Sequence, residues 1–204
     1  MKERLRIAVI GYGTAGQALS ILFSRDGHEV EIFERVPSPG PVGAGFLLQP
    51  SGLQVLWQMG LLDAVRAHAA PVHRLYGDTP CERTVMDMRY DGLDARLHGL
   101  GMQRGALFSL LDGARAGAGQ LHAGVTIAAV DAAQGRLHDS EGRMHGPFDL
   151  VVAADGAASS CAARSKAAPG WTACIPGAHC GACCRPRTGR TCRSCGSATW
   201  PRAR

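Results

Sequence analysis

Three glycines and one acid carry the clearest chemistry in this chain: Gly11, Gly13 and Gly16 in the run Gly11-Tyr12-Gly13-Thr14-Ala15-Gly16, and Glu34 further on. In a loop of this spacing the first glycine permits a tight turn. The second lets the backbone approach a pyrophosphate, and the third lets the following helix pack closely on the preceding strand. Phosphates then rest against the start of that helix, at Thr14 and Ala15, where free N–H groups and the helix dipole favour negative charge. Glu34 follows Gly11 by 23 positions, close to the separation of about 20 residues at which an acid grips ribose hydroxyls. The expected ligand is a dinucleotide cofactor with an adenosine ribose.

The flanking segments are those such a loop needs. LRIAVI, residues 5–10, is a continuous aliphatic run suited to a buried parallel strand. AGQALSILFSRDG places Ala18, Leu19, Leu22 and Phe23 at helical spacing and stops at Gly27. HEVEIFER is a second strand with Glu34 at its C-terminal end. This strand–helix–strand context lifts the glycine pattern above chance in a chain with 27 glycines. Beyond it, PSPGPVGAGFLLQPSG reads as a Pro- and Gly-rich connection without a regular element. GLQVLWQMGLLDAVRAHA reads as helix with a turn around Gly60, and residues 72–100 as short strands or hairpins of an inserted layer. A helix is predicted from Arg104, then a strand, a hairpin and a final buried strand over residues 149–154 that ends at Asp155-Gly156.

Composition divides the chain. Residues 161–204 hold eight Lys and Arg, no Asp or Glu, and no Leu, Val, Phe, Met or Tyr; the rest carries 14 basic against 17 acidic groups. Seven of the eight cysteines also lie after residue 160. Such a tail buries too little apolar surface to offset chain ordering, so residues 159–204 are expected to be irregular or loosely docked. It is basic, but it lacks the interleaved aromatic residues of a stacking platform, and no nucleic-acid partner is expected. Cys180-x-x-Cys183 and Cys192-x-x-Cys195 have the spacing of zinc knuckles. The gap between them is only eight residues and three tail cysteines are left over, so no metal is expected. Translation out of frame explains the tail better, since back-translation of PGAHCGACCR one nucleotide earlier permits the apolar string PWGALWGVLP. No segment is long and apolar enough for a membrane span. The N-terminus enters the first strand directly, which leaves no room for a signal peptide, so a cytoplasmic protein is expected. The histidines at 28, 68, 73, 98, 122, 138 and 145 have no metal spacing and read as surface or packing residues.

Four motifs, in this order, carry a resemblance: the glycine loop with Glu34-Arg35, GAGFLLQPSGLQVLWQMGLLDAV, QRGALFSLL, and DLVVAADGA. Over about residues 5–158 the chain resembles flavoprotein aromatic monooxygenases similar to p-hydroxybenzoate and salicylate hydroxylases. The resemblance implies an α/β fold, a Rossmann-like FAD-binding domain over residues 1–158 with a parallel sheet and a small inserted β layer near 72–100. It implies FAD at the glycine loop, with Gly11, Gly13, Thr14, Ala15 and Gly16 at the pyrophosphate, Glu34 at the adenosine ribose and Arg35 beside the adenine. Arg104 would meet phosphate or ribityl oxygens on the flavin side, Asp155 would approach the cofactor from the Asp-Gly turn, and Gln49 would lie in a loop near the flavin. In the family NAD(P)H is the reductant, and one atom of O2 is inserted into a small aromatic or related substrate. A later Gly-Asp motif and a substrate-covering sheet of the family are not found, and Gly77-Asp78 lacks the helix-start context to replace the former. The chain is therefore expected to be truncated, which leaves a non-catalytic FAD-binding remnant as an alternative. A small NAD(P)-dependent reductase is a second alternative, compatible with Glu34 but opposed by the Arg104 and Asp155 motifs. Substrate identity, catalytic residues and oligomeric state are not legible.

Overall fold

The computed structural model describes residues 3–156 apart from 93 and 116. The chain divides into units at Pro169 and Gly170, and every described residue lies in the first. The predicted tail, with its cysteine pairs, lies outside the described residues.

The chain opens with β1 (Arg6–Ile10), α1 (Thr14–Arg25) and β2 (Glu29–Glu34), the predicted strand–helix–strand unit. β3 (Gly45–Leu48), α2 (Pro50–Gln58), α3 (Leu62–Arg66) and β4 (Ala69–Val72) follow. A hairpin, β5 (Arg74–Asp78) and β6 (Thr84–Arg89), leads to β7 (Gly99–Gln103) and α4 (Arg104–Ala114). The described chain ends with β8 (Gln120–Ala123), β9 (Ile127–Asp131), β10 (Arg136–Asp139), β11 (Met144–His145) and β12 (Leu150–Ala153).

The central sheet is parallel, in the order β12-β1-β2-β8. Its residues alternate between two buried faces, as the two-residue period of a strand requires. Ile7, Val9, Val30 and Ile32 pack with Phe23 of α1 and Phe108 of α4. Ala8, Ile10 and Phe33 pack instead with Ile127 and Leu137 of the meander β9-β10-β11 and with Phe148, which follows it. Helices and a second sheet thus sandwich the parallel strands, and β1 is buried from Ile7 to Ile10. A third cluster, with Ile21, Leu53, Leu56, Leu107 and Leu111 at its centre, joins α1, α2 and α4 to the antiparallel sheet β3-β7-β4. Each buried aliphatic side chain of this kind contributes about 1.5–3 kcal/mol relative to exposure.

The local stops are those the sequence announces. α1 ends where Gly27 adopts φ +89°, with backbone bonds from Asp26 to Leu22 and from His28 to Phe23 closing the last turn. α2 starts with Pro50 and ends before Gly60, φ +71°. The inserted β layer is present: β5 and β6 pair antiparallel, and Arg74 grips Asp87 through Nε and Nη2 at 2.6 and 2.9 Å. Gly77-Asp78 lies at a register shift in this hairpin, not at a helix start. Among the described residues, no helix is long and apolar enough to cross a membrane.

The structure departs from expectation in three places. The segment read as a structureless connection contains β3, which pairs with β7 from Gly45↔Gln103 to Leu48↔Leu100. The fourth parallel strand, β8, was not predicted; it lies along β2, from Glu31↔Gln120 to Glu34↔Ala123. The final strand is only half-buried, with Leu150 39% exposed, because β12 is outermost of the described parallel strands.

One buried acid braces the meander. Asp139, 4% exposed, accepts hydrogen bonds from the backbone N–H of Glu141 and Arg143 and from Arg143 Nε, with His145 Nε2 at 3.0 Å. Burial alone would raise its pKa, but these donors outweigh burial and hold the carboxyl well below the usual carboxylate range. Its contribution to stability is then complete above the unfolded carboxyl value of about 4 and is lost as pH falls through the lower folded value. In acid titrations followed by circular dichroism, wild type is expected to lose stability below about pH 4 more steeply than Asp139→Asn; parallel acid limbs would count against this role.

Candidate cofactor site

The glycine loop leaves β1 between strands that hold it from both sides. Gly11 donates its N–H to Phe33 O at 2.8 Å and adopts φ +103°. A Cβ there would stand 2.6 Å from Ala154 O, so only glycine fits beside β12. A Cβ at Gly16 would stand 1.9 Å from Gly11 O, the close helix–strand approach expected of the third glycine. Gly13 differs: nothing lies within 4 Å of its missing Cβ, and Gly13 lines the cleft described below. No side chain caps the first turn of α1, and that turn contains no acid. Its N–H groups therefore stand ready for an anion.

At the end of β2 the Glu34 carboxylate is aimed by backbone. Oε2 accepts from Tyr12 N–H at 2.7 Å and Oε1 from Val36 N–H at 2.9 Å. Each oxygen keeps lone-pair capacity for hydroxyl donors. Gly124 and Val125 donate to Val36 O and Glu34 O, which brings the loop after β8 against the same strand end.

A cleft of about 450 Å³ opens above these strand ends. It is lined by Gly11, Gly13, Thr14, Ala15, Glu34, Arg35, Arg104 and Asp155, together with Phe33, Val125, Thr126 and Ile127. A second trough, of about 520 Å³, shares Gly13, Thr14, Glu34 and Arg104 with it and runs under the Pro-Gly loop 38–43 to Phe108. Residues separated by more than a hundred positions thus meet at one site. Arg104 is the first residue of α4, and its side chain lies against Gly43, where a Cβ would come within 3.0 Å of Arg104 Cδ. Asp155 follows β12 directly.

Of the residues singled out in the sequence, all but Gly16 and Gln49 line the cleft, and Gly16 shapes it from behind. The structure does not bring Gln49 there. It is the exposed residue before α2, and its Oε1 accepts a hydrogen bond from Tyr90 at 2.7 Å. The sequence reading missed the Val125-Thr126-Ile127 wall, which follows the unpredicted strand β8, and it missed Tyr12. Tyr12 is 2% exposed. Its hydroxyl donates to Asp112 Oδ1 and accepts from Arg115 Nε, both on the far end of α4. Burial pushes this phenol up to about 12, and the bond to Asp112 adds to the shift while Arg115 opposes it. Tyr12 is therefore a neutral donor at ordinary pH.

The cradle suits a dinucleotide that brings a pyrophosphate to Gly13, where a Cβ would take the space, and a ribose to Glu34. Comparison with known proteins agrees. A family model described as the FAD binding domain matches residues 4–172. A 3-amino-4-hydroxybenzoate 2-monooxygenase of Streptomyces cremeus is 35% identical over 161 residues, 74% of this chain and 40% of that protein. A kynurenine 3-monooxygenase of Salinispora arenicola is 40% identical over 78 residues, covering 35% of this chain and 17% of that protein. Among solved structures, the tetrameric form of 2-methyl-3-hydroxypyridine-5-carboxylic acid oxygenase superposes with a TM-score of 0.66 at 29% identity, over 79% of this chain and 42% of that chain. The chain thus spans less than half the length of these relatives. The family match takes in every cleft residue from Ile10 to Gly156, and so the chain belongs to the FAD binding domain family of flavin-dependent monooxygenases, with FAD as its cofactor.

Proposed function

We propose that the cleft holds FAD for an NAD(P)H- and O2-dependent hydroxylation of a small aromatic substrate, in the cytoplasm. The observation that carries this reading is the meeting of four separate segments at one cleft: the glycine loop, the Glu34 carboxylate, Arg104 and Asp155. When bound, FAD supplies the redox chemistry, taking two electrons from NAD(P)H and delivering them to O2, so that one oxygen enters the ring and the other leaves as water.

The chain's own residues bind and orient. Gly11, Gly13 and Gly16 shape the loop, and the backbone of Gly13, Thr14 and Ala15 faces the pyrophosphate with the uncapped start of α1 behind it. Glu34, already fixed by two backbone N–H groups, accepts from the adenosine ribose. Arg35 and the Val125-Thr126-Ile127 wall flank the adenine end. Arg104 presents a guanidinium that pairs with phosphate or ribityl oxygens in a fixed fork, and Asp155 approaches the cofactor from the turn after β12. Gln49 is given no part in the site. The domain assigned to this work runs over residues 1–158, with the layer near 72–100 as its substrate side.

The relatives' names support the substrate class: the Streptomyces protein acts on an aminohydroxybenzoate, and the superposed oxygenase on a hydroxypyridine carboxylic acid. The test is reconstitution of the purified chain with FAD, followed by NAD(P)H oxidation with and without a phenol. A flavin spectrum that stays with the protein on gel filtration, and oxidation that rises with the phenol, are the expected results. Loss of all flavin on filtration would remove the cofactor assignment. Binding without phenol-dependent oxidation would confine the function to holding FAD.

A further inference from the structure

Tyr12 lies between Gly11 and Gly13, at a position where the glycine pattern asks for no particular side chain. Here the side chain is buried and fully engaged. Its hydroxyl is held between Asp112 and Arg115, its ring meets Phe108 edge-on at 5.8 Å, and the Arg115 guanidinium lies 5.1 Å from the ring centre. Phe108, Asp112 and Arg115 are spaced by four and three residues, so they form one stripe along α4 and its C-terminal cap. Arg115 also reaches Gly119 O, which precedes β8. The backbone N–H of Tyr12 meanwhile donates to Glu34. One residue therefore touches the glycine loop, the ribose acid and the helix whose other end carries Arg104.

From this geometry we infer that Tyr12 is a positioning residue: it clamps α4 to the glycine loop, and so sets the separation between the two grips on the cofactor, Glu34 with the loop on one side and Arg104 on the other. The inference rests on the reading of the cleft as an FAD site. α4 has 11 residues and is about 16 Å long, so a small tilt at its Tyr12 end displaces Arg104 at the other. A ligand held at two places gains from both only when the two are presented at the span it bridges. A tilt of α4 leaves each grip intact and reduces the combined gain. A neutral phenol suits the task, because it donates to the Asp112 carboxylate while accepting from the Arg115 guanidinium.

The test compares FAD with ADP, which shares the adenosine and pyrophosphate and lacks the flavin side, by calorimetric titration of the full chain. Tyr12→Phe is expected to weaken FAD about tenfold and ADP less than about twofold. Asp112→Ala, at a half-exposed position, removes the acceptor of the Tyr12 hydroxyl and is expected to show the same selective loss, and it decides the matter if Tyr12→Phe does not fold. In an Arg104→Ala background, Tyr12→Phe should have no further selective effect, because the second grip is already gone. Equal loss of both ligands, unchanged affinity for both, or an undiminished selective loss without Arg104 would each overturn the clamp. Wild type that binds ADP and FAD equally would overturn it as well. Wild type that binds neither would instead defeat the cofactor reading itself.

Discussion

Replacing Gly16 by alanine is expected to destabilise the fold by about 3 kcal/mol and to abolish FAD binding with it. The new Cβ would stand 1.9 Å from Gly11 O and 3.0 Å from Gly11 C, both backbone atoms. Neither can retreat, since Gly11 is tied to Phe33 O and is itself packed against Ala154. Alanine is the better helix former by about 1 kcal/mol, but overpacking against backbone outweighs that gain. For a domain of this size the loss corresponds to a fall in Tm of about 6–12 °C. A melting temperature within about 2 °C of wild type would show that helix and strand have room to part.

Gly13→Val should do the reverse. Its backbone, at φ −76° and ψ −172°, is extended and open to any residue, and nothing lies within 4 Å of the missing Cβ. Stability should stay within about 0.5 kcal/mol of wild type. FAD affinity should fall at least about tenfold, because the added methyls take the space in which the pyrophosphate meets the backbone. The two variants separate a glycine required by packing from one required by the cofactor. Retention of FAD affinity within about twofold in Gly13→Val would place the pyrophosphate elsewhere.

What was legible in the sequence is what depends on neighbours in the chain. The turn at Gly11, the helix from Thr14, the stop at Gly27 and the acid at the end of β2 each follow from a few adjacent residues, and the structure has them all. The strands that escaped prediction depend on distant partners. Gly45–Leu48 is short and sits among prolines and glycines, and it becomes a strand because Gly99–Gln103 supplies its ladder. β8 offers Leu121 as its sole strong apolar residue, and its limits are set by Gly119 and Gly124, both at positive φ. Two such glycines, two residues before and three residues after an apolar centre, were the available signal. Tyr12 was passed over for a similar reason: Asp112 and Arg115 lie about a hundred positions away, and no periodicity joins them to it. His122 and His145, read as surface or packing residues, flank the Phe33 ring, with His122 stacked on it at 4.7 Å and His145 tilted at 4.9 Å.

The register of β1 with β12 also bears on synthesis. Ile7 pairs with Leu150 and Ile10 with Ala153, so the strand that emerges first from the ribosome waits for the one that emerges last among those described. Until then the glycine loop has its helix and β2 but lacks the wall of Ala154 and Asp155. Closing so long a loop is slow relative to forming the local strand–helix–strand unit. A nascent chain halted before residue 150 would carry the whole glycine fingerprint and Glu34 and still lack the wall of Ala154 and Asp155.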